Sequence, residues 1–172
     1  MTDLLSPLKA ISEKISSYQI FTYILPGIVF LTPLSLYYTK EIPSTSIWEK
    51  LLICYFVGMT VSRIGTFVFE SWPSHIKWKW LGIQLIDYPT LIKTEKKDPK
   101  INSLLQVSNT YRSMAAASFA LLLVAILNYY FNIGFQFPCG LHVLNLFLCI
   151  LFYFSFKKQY WYVNERVKNA SV

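Results

Sequence analysis

Side chains that could take part in catalysis are few and scattered along the chain. The two histidines, His75 and His142, lie far apart in the sequence, and the three cysteines form no CxxC pair. The sequence contains no HExxH, GxSxG or glycine-rich phosphate-binding motif. We therefore predict no enzymatic activity, no metal site and no cofactor. A membrane enzyme is the least favoured class, and it would depend on Glu70, His75 or Asp87.

Arg63 is the most unusual charged residue, because it alone interrupts the otherwise uncharged stretch 51–69. A charge within a membrane span is costly and often has a function. Its long side chain could extend to lipid phosphates at the nearer surface. Alternatively it could line a polar path or bind an anionic group in an assembly. Three residues would then be its polar neighbours within the membrane: Asn128, His142 and Asn145.

A run of lysines between the apolar stretches could bind a ligand. It consists of Lys93, Lys96, Lys97 and Lys100. Such a run can bind a phosphate-bearing messenger. It can also lie against anionic lipid, which is the more common situation. A nucleotide signal, a cytosolic protein and the lipid surface all remain candidate partners.

The composition places these residues in a membrane protein. Of the 172 residues, 54% are hydrophobic and 15% charged, and the mean hydropathy is +0.40. Soluble domains carry about a quarter of their residues as charges. Residues 113–156 contain no formal charge over 44 positions, which is about twice the length of one span. Because turn-forming residues occupy 132–140, this stretch must fold into two helices.

We accordingly predict an all-α membrane protein with four transmembrane helices. The spans are expected near residues 20–38, 51–69, 113–131 and 141–156. Five regions follow along the chain: an amphipathic N-terminal helix (1–17), spans one and two (18–69), a short helical cytoplasmic segment (70–112), spans three and four (113–163) and a C-terminal tail (164–172). Within the cytoplasmic segment, Asp87 with Pro89 and Asp98 with Pro99 are typical helix starts.

The distribution of positive charge predicts the orientation. Thirteen of the 16 Lys and Arg residues fall in the N-terminal region 1–17, in the segment 70–112 and after residue 156, whereas two fall in the loop after the first span. Lys and Arg accumulate on the cytoplasmic side. We therefore expect a multi-pass membrane protein with both termini in the cytoplasm. The net charge of +7 then reflects orientation, and no nucleic-acid partner is predicted.

Small residues mark two faces on which helices could pack closely. The second span carries Gly58, Ser62 and Gly65, and the third carries Ala116 and Ala120. Small residues let helix backbones approach where lipid removes the hydrophobic driving force. The contacts could form within one chain or between chains, and we expect a homo-oligomer.

Three segments resemble a loosely defined family of small bacterial inner-membrane proteins. They are SSYQIFTYILPGIVF (16–30), VSRIGTFVFE (61–70) and KKDPKINSLLQVSNTYRSMAA (96–116). Members of that family are sometimes encoded beside antiphage defence genes, so the resemblance implies an inner-membrane protein and makes a defence effector plausible. The favoured hypothesis is an oligomeric effector that disrupts membrane integrity on receiving a cytoplasmic signal. The alternative is a non-catalytic anchor that recruits a cytosolic partner.

Overall fold

The described part of the chain is almost entirely helical. The computed structural model describes residues 20–37, 46–71, 86–134 and 138–171, and no strand occurs among them. Five helices follow in order: α1 (a π-helical turn Ile20–Ile24 continued by Leu25–Tyr37), α2 (Ile47–Thr66 continued by a π-helical turn Phe67–Ser71), α3 (Tyr88–Lys97), α4 (Lys100–Phe131) and α5 (Cys139–Ser171). The amphipathic helix expected over 1–17 and the segment 72–85 lie outside the described residues.

Three of these helices have the length and apolar composition needed to cross a bilayer. They are Ile47–Glu70, Lys100–Phe131 and Cys139–Ala170. The apolar part of α1, Thr22–Tyr37, is shorter. The all-helical class is therefore confirmed for the described residues, with three candidate membrane-spanning helices, whereas the count of four spans stays a prediction.

The starts of α3 and α4 follow from local sequence, as predicted. Asp87 precedes α3, and Pro89 lies in its first turn. Asp98 begins the turn into α4, where its Oδ1 accepts a hydrogen bond from the Lys100 backbone N–H at 3.0 Å. An aspartate at this position satisfies a backbone donor that the first helical turn leaves open. At the other end, Asn132 adopts a left-handed conformation with φ 50°, which stops α4 where the turn was expected.

Helices α4 and α5 form a long antiparallel hairpin held by polar contacts at several levels. Near the apolar end, Asn145 Nδ2 donates to the Ser118 carbonyl at 3.1 Å. At the opposite end, Arg166 pairs with Asp98 at 2.6 Å. A helix of 32 residues is about 48 Å long, whereas the hydrocarbon core is about 30 Å thick. Both helices therefore extend well beyond a single bilayer thickness.

The extending parts build a separate packed unit, which we call the charged module: α3, residues 100–112 of α4 and residues 157–171 of α5. Its core contains Ile101, Val163 and Val167, and Leu91 of α3 packs against them. Residues 164–171, expected to be a tail, continue α5 because Val167 is buried in this core. The module is thus a three-helix unit continuous with the apolar helices.

Helices α1 and α2 pack against each other through two glycines. A Cβ at Gly58 would fall on the Tyr23 carbonyl oxygen, and a Cβ at Gly27 would fall on the Cys54 carbonyl oxygen. The two backbones can be this close only because neither glycine has a side chain. The pair packs on α4 through a cluster centred on Val61.

Candidate functional site

An ion pair lies where the charged module meets the apolar helices. Arg112 Nη1 of α4 donates to Glu70 Oε1, which the π-helical turn at the end of α2 presents. The two side chains are only 11% and 18% exposed. Side chains on a helix lean toward its N-terminus, so Arg112 leans toward the module and meets Glu70 there. The pair therefore links α2 to the base of the module.

This ion pair is well shielded from solvent, so a substitution that breaks it should have a large effect on stability. Arg112 Nε is buried and has no hydrogen-bond partner among the described residues. Removing one member of a buried pair leaves the other charge buried without a partner and is strongly destabilising. The position of α2 is therefore sensitive to whether the pair is intact.

Tyr160 connects the same ion pair to the start of α3. Its hydroxyl accepts a hydrogen bond from the Ile86 backbone N–H at 3.4 Å and lies within range of the charges of Glu70 and Arg112. Tyr160 is itself buried, with its ring beside Phe156. A displacement of α3 would therefore disturb Tyr160, which lies next to the ion pair.

Small side chains and hydroxyl groups join the α1–α2 pair to α4 just beyond the ion pair. Ser113 Oγ donates to Ser62 Oγ at 2.8 Å. A Cβ at Gly65 would lie 2.8 Å from the Ala116 Cβ, and Thr22 Oγ1 lies 3.4 Å from Thr110 Oγ1. Both π-helical turns, at the start of α1 and the end of α2, adjoin this part of α4. Turns of this type are frequent at functional sites.

The predicted packing residues thus make contacts within one chain. Gly58 meets α1, whereas Ser62 and Gly65 meet α4, where Ala116 is buried. Ala120 is half-buried on α4. None of these contacts requires a second copy of the chain.

Arg63 lies apart from the other polar residues of the apolar region. Its side chain is exposed on the outer face of α2 and forms no hydrogen bond or ion pair with the described residues. Its neighbour Ser62 is level with Ser113, the first residue of the uncharged stretch of α4. Arg63 therefore lies near the charged end of the apolar region. This position favours contact of its guanidinium with a membrane surface or with another molecule, and argues against a place in the middle of the bilayer.

The other polar candidates lie along the α4–α5 hairpin. Asn145 is buried between the two helices, where with His142 it lines a small cleft beside Leu121. Asn128 is half-buried near the end of α4. Arg63 is therefore not brought together with Asn128, His142 or Asn145.

The four candidate ligand-binding lysines lie at the tip of the charged module, farthest from the apolar helices. Lys93, Lys96 and Lys97 are exposed on α3, and Lys100 is exposed at the start of α4. Lys97 Nζ donates to the Ala170 carbonyl near the end of α5 at 3.1 Å. We call these four residues the tip cluster.

Asp98 lies between Lys97 and Lys100 of the tip cluster, and its charge is already engaged. The hydrogen bond from the Lys100 backbone N–H is the largest cause that holds the pKa of Asp98 below its usual value; desolvation opposes it, and the guanidinium of Arg166 and the charge of Lys100 lower the pKa further. A lowered carboxyl pKa means that the ionised form is stabilised in the folded state. Asp98 therefore stays charged and fixes the junction of α3, α4 and α5.

Comparisons with known proteins found no relative from which a function could be inferred. No family model matches the chain, and the searches of curated proteins and of solved structures found no match. Among the described residues, no group of His, Cys, Asp and Glu side chains could hold a metal ion.

The Glu70–Arg112 ion pair is the main feature that the spacing of residues did not predict. Its members are 42 positions apart and become neighbours only when α2 packs on α4. One signal was present in the sequence. Glu70 directly follows the apolar stretch 51–69, Arg112 directly precedes the uncharged stretch 113–156, and the charge distribution put both boundaries on the same side.

Proposed function

We propose that this protein is an integral membrane effector that permeabilises the bacterial inner membrane when a cytoplasmic signal reaches its charged module. In this proposal α1 is the first of four spans, and both termini and the charged module face the cytoplasm. The excess of Lys and Arg in the tails and in segment 70–112 supports that orientation.

The Glu70–Arg112 ion pair is the observation that carries this proposal. It joins α2 to the base of the charged module, beside Tyr160 and the start of α3. A ligand can shift a conformation only if it interacts differently with two states. In the resting state the intact pair holds α2 on α4, and the signal acts by weakening it.

An oligomer is part of the proposal because a single chain offers few polar groups to line a conducting path. Arg63 supports this, since its guanidinium is exposed on α2 and would be available to a neighbouring copy. An ionisable residue within an apolar helix marks ion pathways in many membrane proteins. The small-residue contacts support the fold of each chain, and the interface between copies would use the outer face of α2.

The test in cells compares ion-pair variants by a membrane-potential dye after induced expression. We expect the wild type to leave the potential intact without its signal, and Arg112→Gln to depolarise the cells. The charge exchange Glu70→Arg/Arg112→Glu should restore the potential, because it re-forms the pair. Lys158→Gln is the matched control, since Lys158 is an exposed cation on α5. Intact potential with a membrane-inserted Arg112→Gln protein contradicts the proposal.

A role in defence against phages is the biological setting that we propose, and the resemblance of segments 16–30, 61–70 and 96–116 supports it. Expression should reduce phage plating efficiency, and Glu70→Arg/Arg112→Glu should retain that effect. Equal plating with and without the protein would contradict the role in defence, but not the permeabilisation of the membrane.

A membrane anchor for a cytosolic partner is the second candidate. The continuity of α4 and α5 from the tip cluster to the apolar end favours it, because two bonded helices hold the module at a fixed height above the membrane. Stoichiometric co-purification of a cytosolic protein, together with an unchanged potential in Arg112→Gln cells, would select this function.

A further inference from the structure

We propose that the tip cluster binds a soluble anion carrying several phosphate groups, and that lipid headgroups are not its ligand. The inference rests on the proposed function, because it specifies the chemical class of the cytoplasmic signal. Four observations support it: the distance of the cluster from the apolar helices, the charges left unpaired, the arrangement of lysines on α3, and the contact of α3 with Tyr160.

The distance of the cluster from the membrane argues against lipid. The uncharged stretch of α4 begins at Ser113, and Lys100 lies 13 residues before it, or about 20 Å along the helix axis. The headgroup layer takes up about 5 to 7 Å of this. The attraction of a basic segment to an anionic membrane falls off within a Debye length of about 8 Å at physiological salt. Lys100 is thus beyond most of the membrane's surface potential, and so is Lys97, which donates to the Ala170 carbonyl near the end of α5.

The pairing of charges leaves the tip with excess positive charge. Arg166 pairs with Asp98, and Lys168 pairs with Glu165. In the part of the chain that the structure describes, three lysines of the tip form no ion pair: Lys93, Lys96 and Lys100. A multivalent anion would supply the missing negative charge.

The lysines of α3 share one face of the helix. Lys93 is three residues before Lys96 and four before Lys97, so the three side chains project from consecutive turns. Thr94 is buried on the side that packs against the module, and Glu95 projects away from the lysine face by the same helical geometry. Lys100 continues the basic surface beyond the end of α3. Cations spread over two turns suit an anion with more than one phosphate group.

A ligand held here would act on the ion pair through α3. The lysines occupy the C-terminal part of α3, and the residue just before its N-cap, Ile86, donates to Tyr160 beside Glu70 and Arg112. Because α3 is only 10 residues long, a rotation at one end moves the other. The tip cluster is therefore coupled by direct contacts to the junction that holds α2.

The test measures binding of inorganic tripolyphosphate to the purified full chain in phosphatidylcholine nanodiscs. We expect saturable binding that Lys96→Gln/Lys100→Gln weakens about tenfold, since each lost charge-assisted contact removes part of the binding energy. Lys50→Gln/Lys158→Gln is the matched control, because it removes two exposed cations elsewhere on the chain and should bind like the wild type. Absence of saturable binding, or equal weakening by both double variants, overturns the inference.

Nanodiscs that also contain phosphatidylglycerol separate the two sources of phosphate. If the lysines reach headgroups, phosphatidylglycerol will compete and weaken tripolyphosphate binding, which overturns the inference. Unchanged affinity in both lipids supports it. If tripolyphosphate does not bind specifically but Arg112→Gln depolarises the cells, this inference is overturned and the proposed function stands. If tripolyphosphate binds specifically but Arg112→Gln does not depolarise the cells, only the proposed function is overturned.

Discussion

Glu70 and Arg112 join the end of α2 to α4 through an ion pair that is largely shielded from solvent. A buried ion pair contributes little net stability compared with apolar residues of similar volume, yet it is costly to break on one side only. That asymmetry suits a junction that must be held in one state and released in another. It also makes the junction accessible to single substitutions.

Arg112→Gln should lower the thermal stability of the protein in detergent. The substitution leaves the Glu70 carboxylate shielded and without its cation, at a cost of about 3 kcal/mol. The midpoint of thermal unfolding, followed by circular dichroism, measures this loss. Lys158→Gln changes an exposed cation and should stay within about 0.5 kcal/mol of the wild type. Equal midpoints for Arg112→Gln and the wild type would show that the pair does not hold the fold.

Asp98 should give the tip of the module an acid-sensitive component of stability. Its pKa in the folded state is lowered, whereas in the unfolded state it is about 3.9, so its stabilising effect is complete above that value. The contribution is lost as the pH falls below about 4 toward the lowered pKa. Hydrogen exchange of α3 across this range measures the loss. Asp98→Asn should remove this acid dependence, and an identical profile in the variant would contradict the assignment.

Among the helices, α1 and α2 depend on glycine at their crossing. Gly58→Ala should separate them, because its Cβ would meet the Tyr23 carbonyl, and we expect a loss of about 2 kcal/mol from overpacking. Faster alkylation of Cys54, which lies at the same crossing, would report the separation. Gly140→Ala is the matched control, since its Cβ meets nothing within 4 Å in the part of the chain that the structure describes. Similar effects of both variants would argue against a tight crossing.

The helices also show which features the sequence could predict. The start of α4 after Asp98 and Pro99 and its end at Asn132 were predictable, because they depend on local capping and turn residues. The continuation of α5 to Ser171 was not, because the polar and charged residues after position 163 look like a tail. Val163 and Val167 keep that segment helical by packing on Ile101, which is distant in sequence. The Glu70–Arg112 pair likewise depends on packing between helices.

For the whole molecule, the proposed orientation places Cys139 and the charged module on opposite sides of the membrane. Cys139 is exposed at the start of α5, near the apolar end of the hairpin. In a Cys54→Ala/Cys149→Ala background, a membrane-impermeant maleimide should label Cys139 in intact spheroplasts. With Cys139 also replaced, Lys168→Cys should be labelled only after the membrane is opened. The reverse pattern, or both sites labelled in intact spheroplasts, would contradict the orientation.

Whether the protein itself permeabilises a membrane can be measured with purified chains in sealed liposomes loaded with a fluorescent potassium indicator. If release of the Glu70–Arg112 pair opens a path, Arg112→Gln liposomes will show potassium flux. Wild-type and Glu70→Arg/Arg112→Glu liposomes with the same amount of inserted protein will stay sealed. Sealed Arg112→Gln liposomes, or equal flux in all three, would contradict control of membrane permeability by this ion pair.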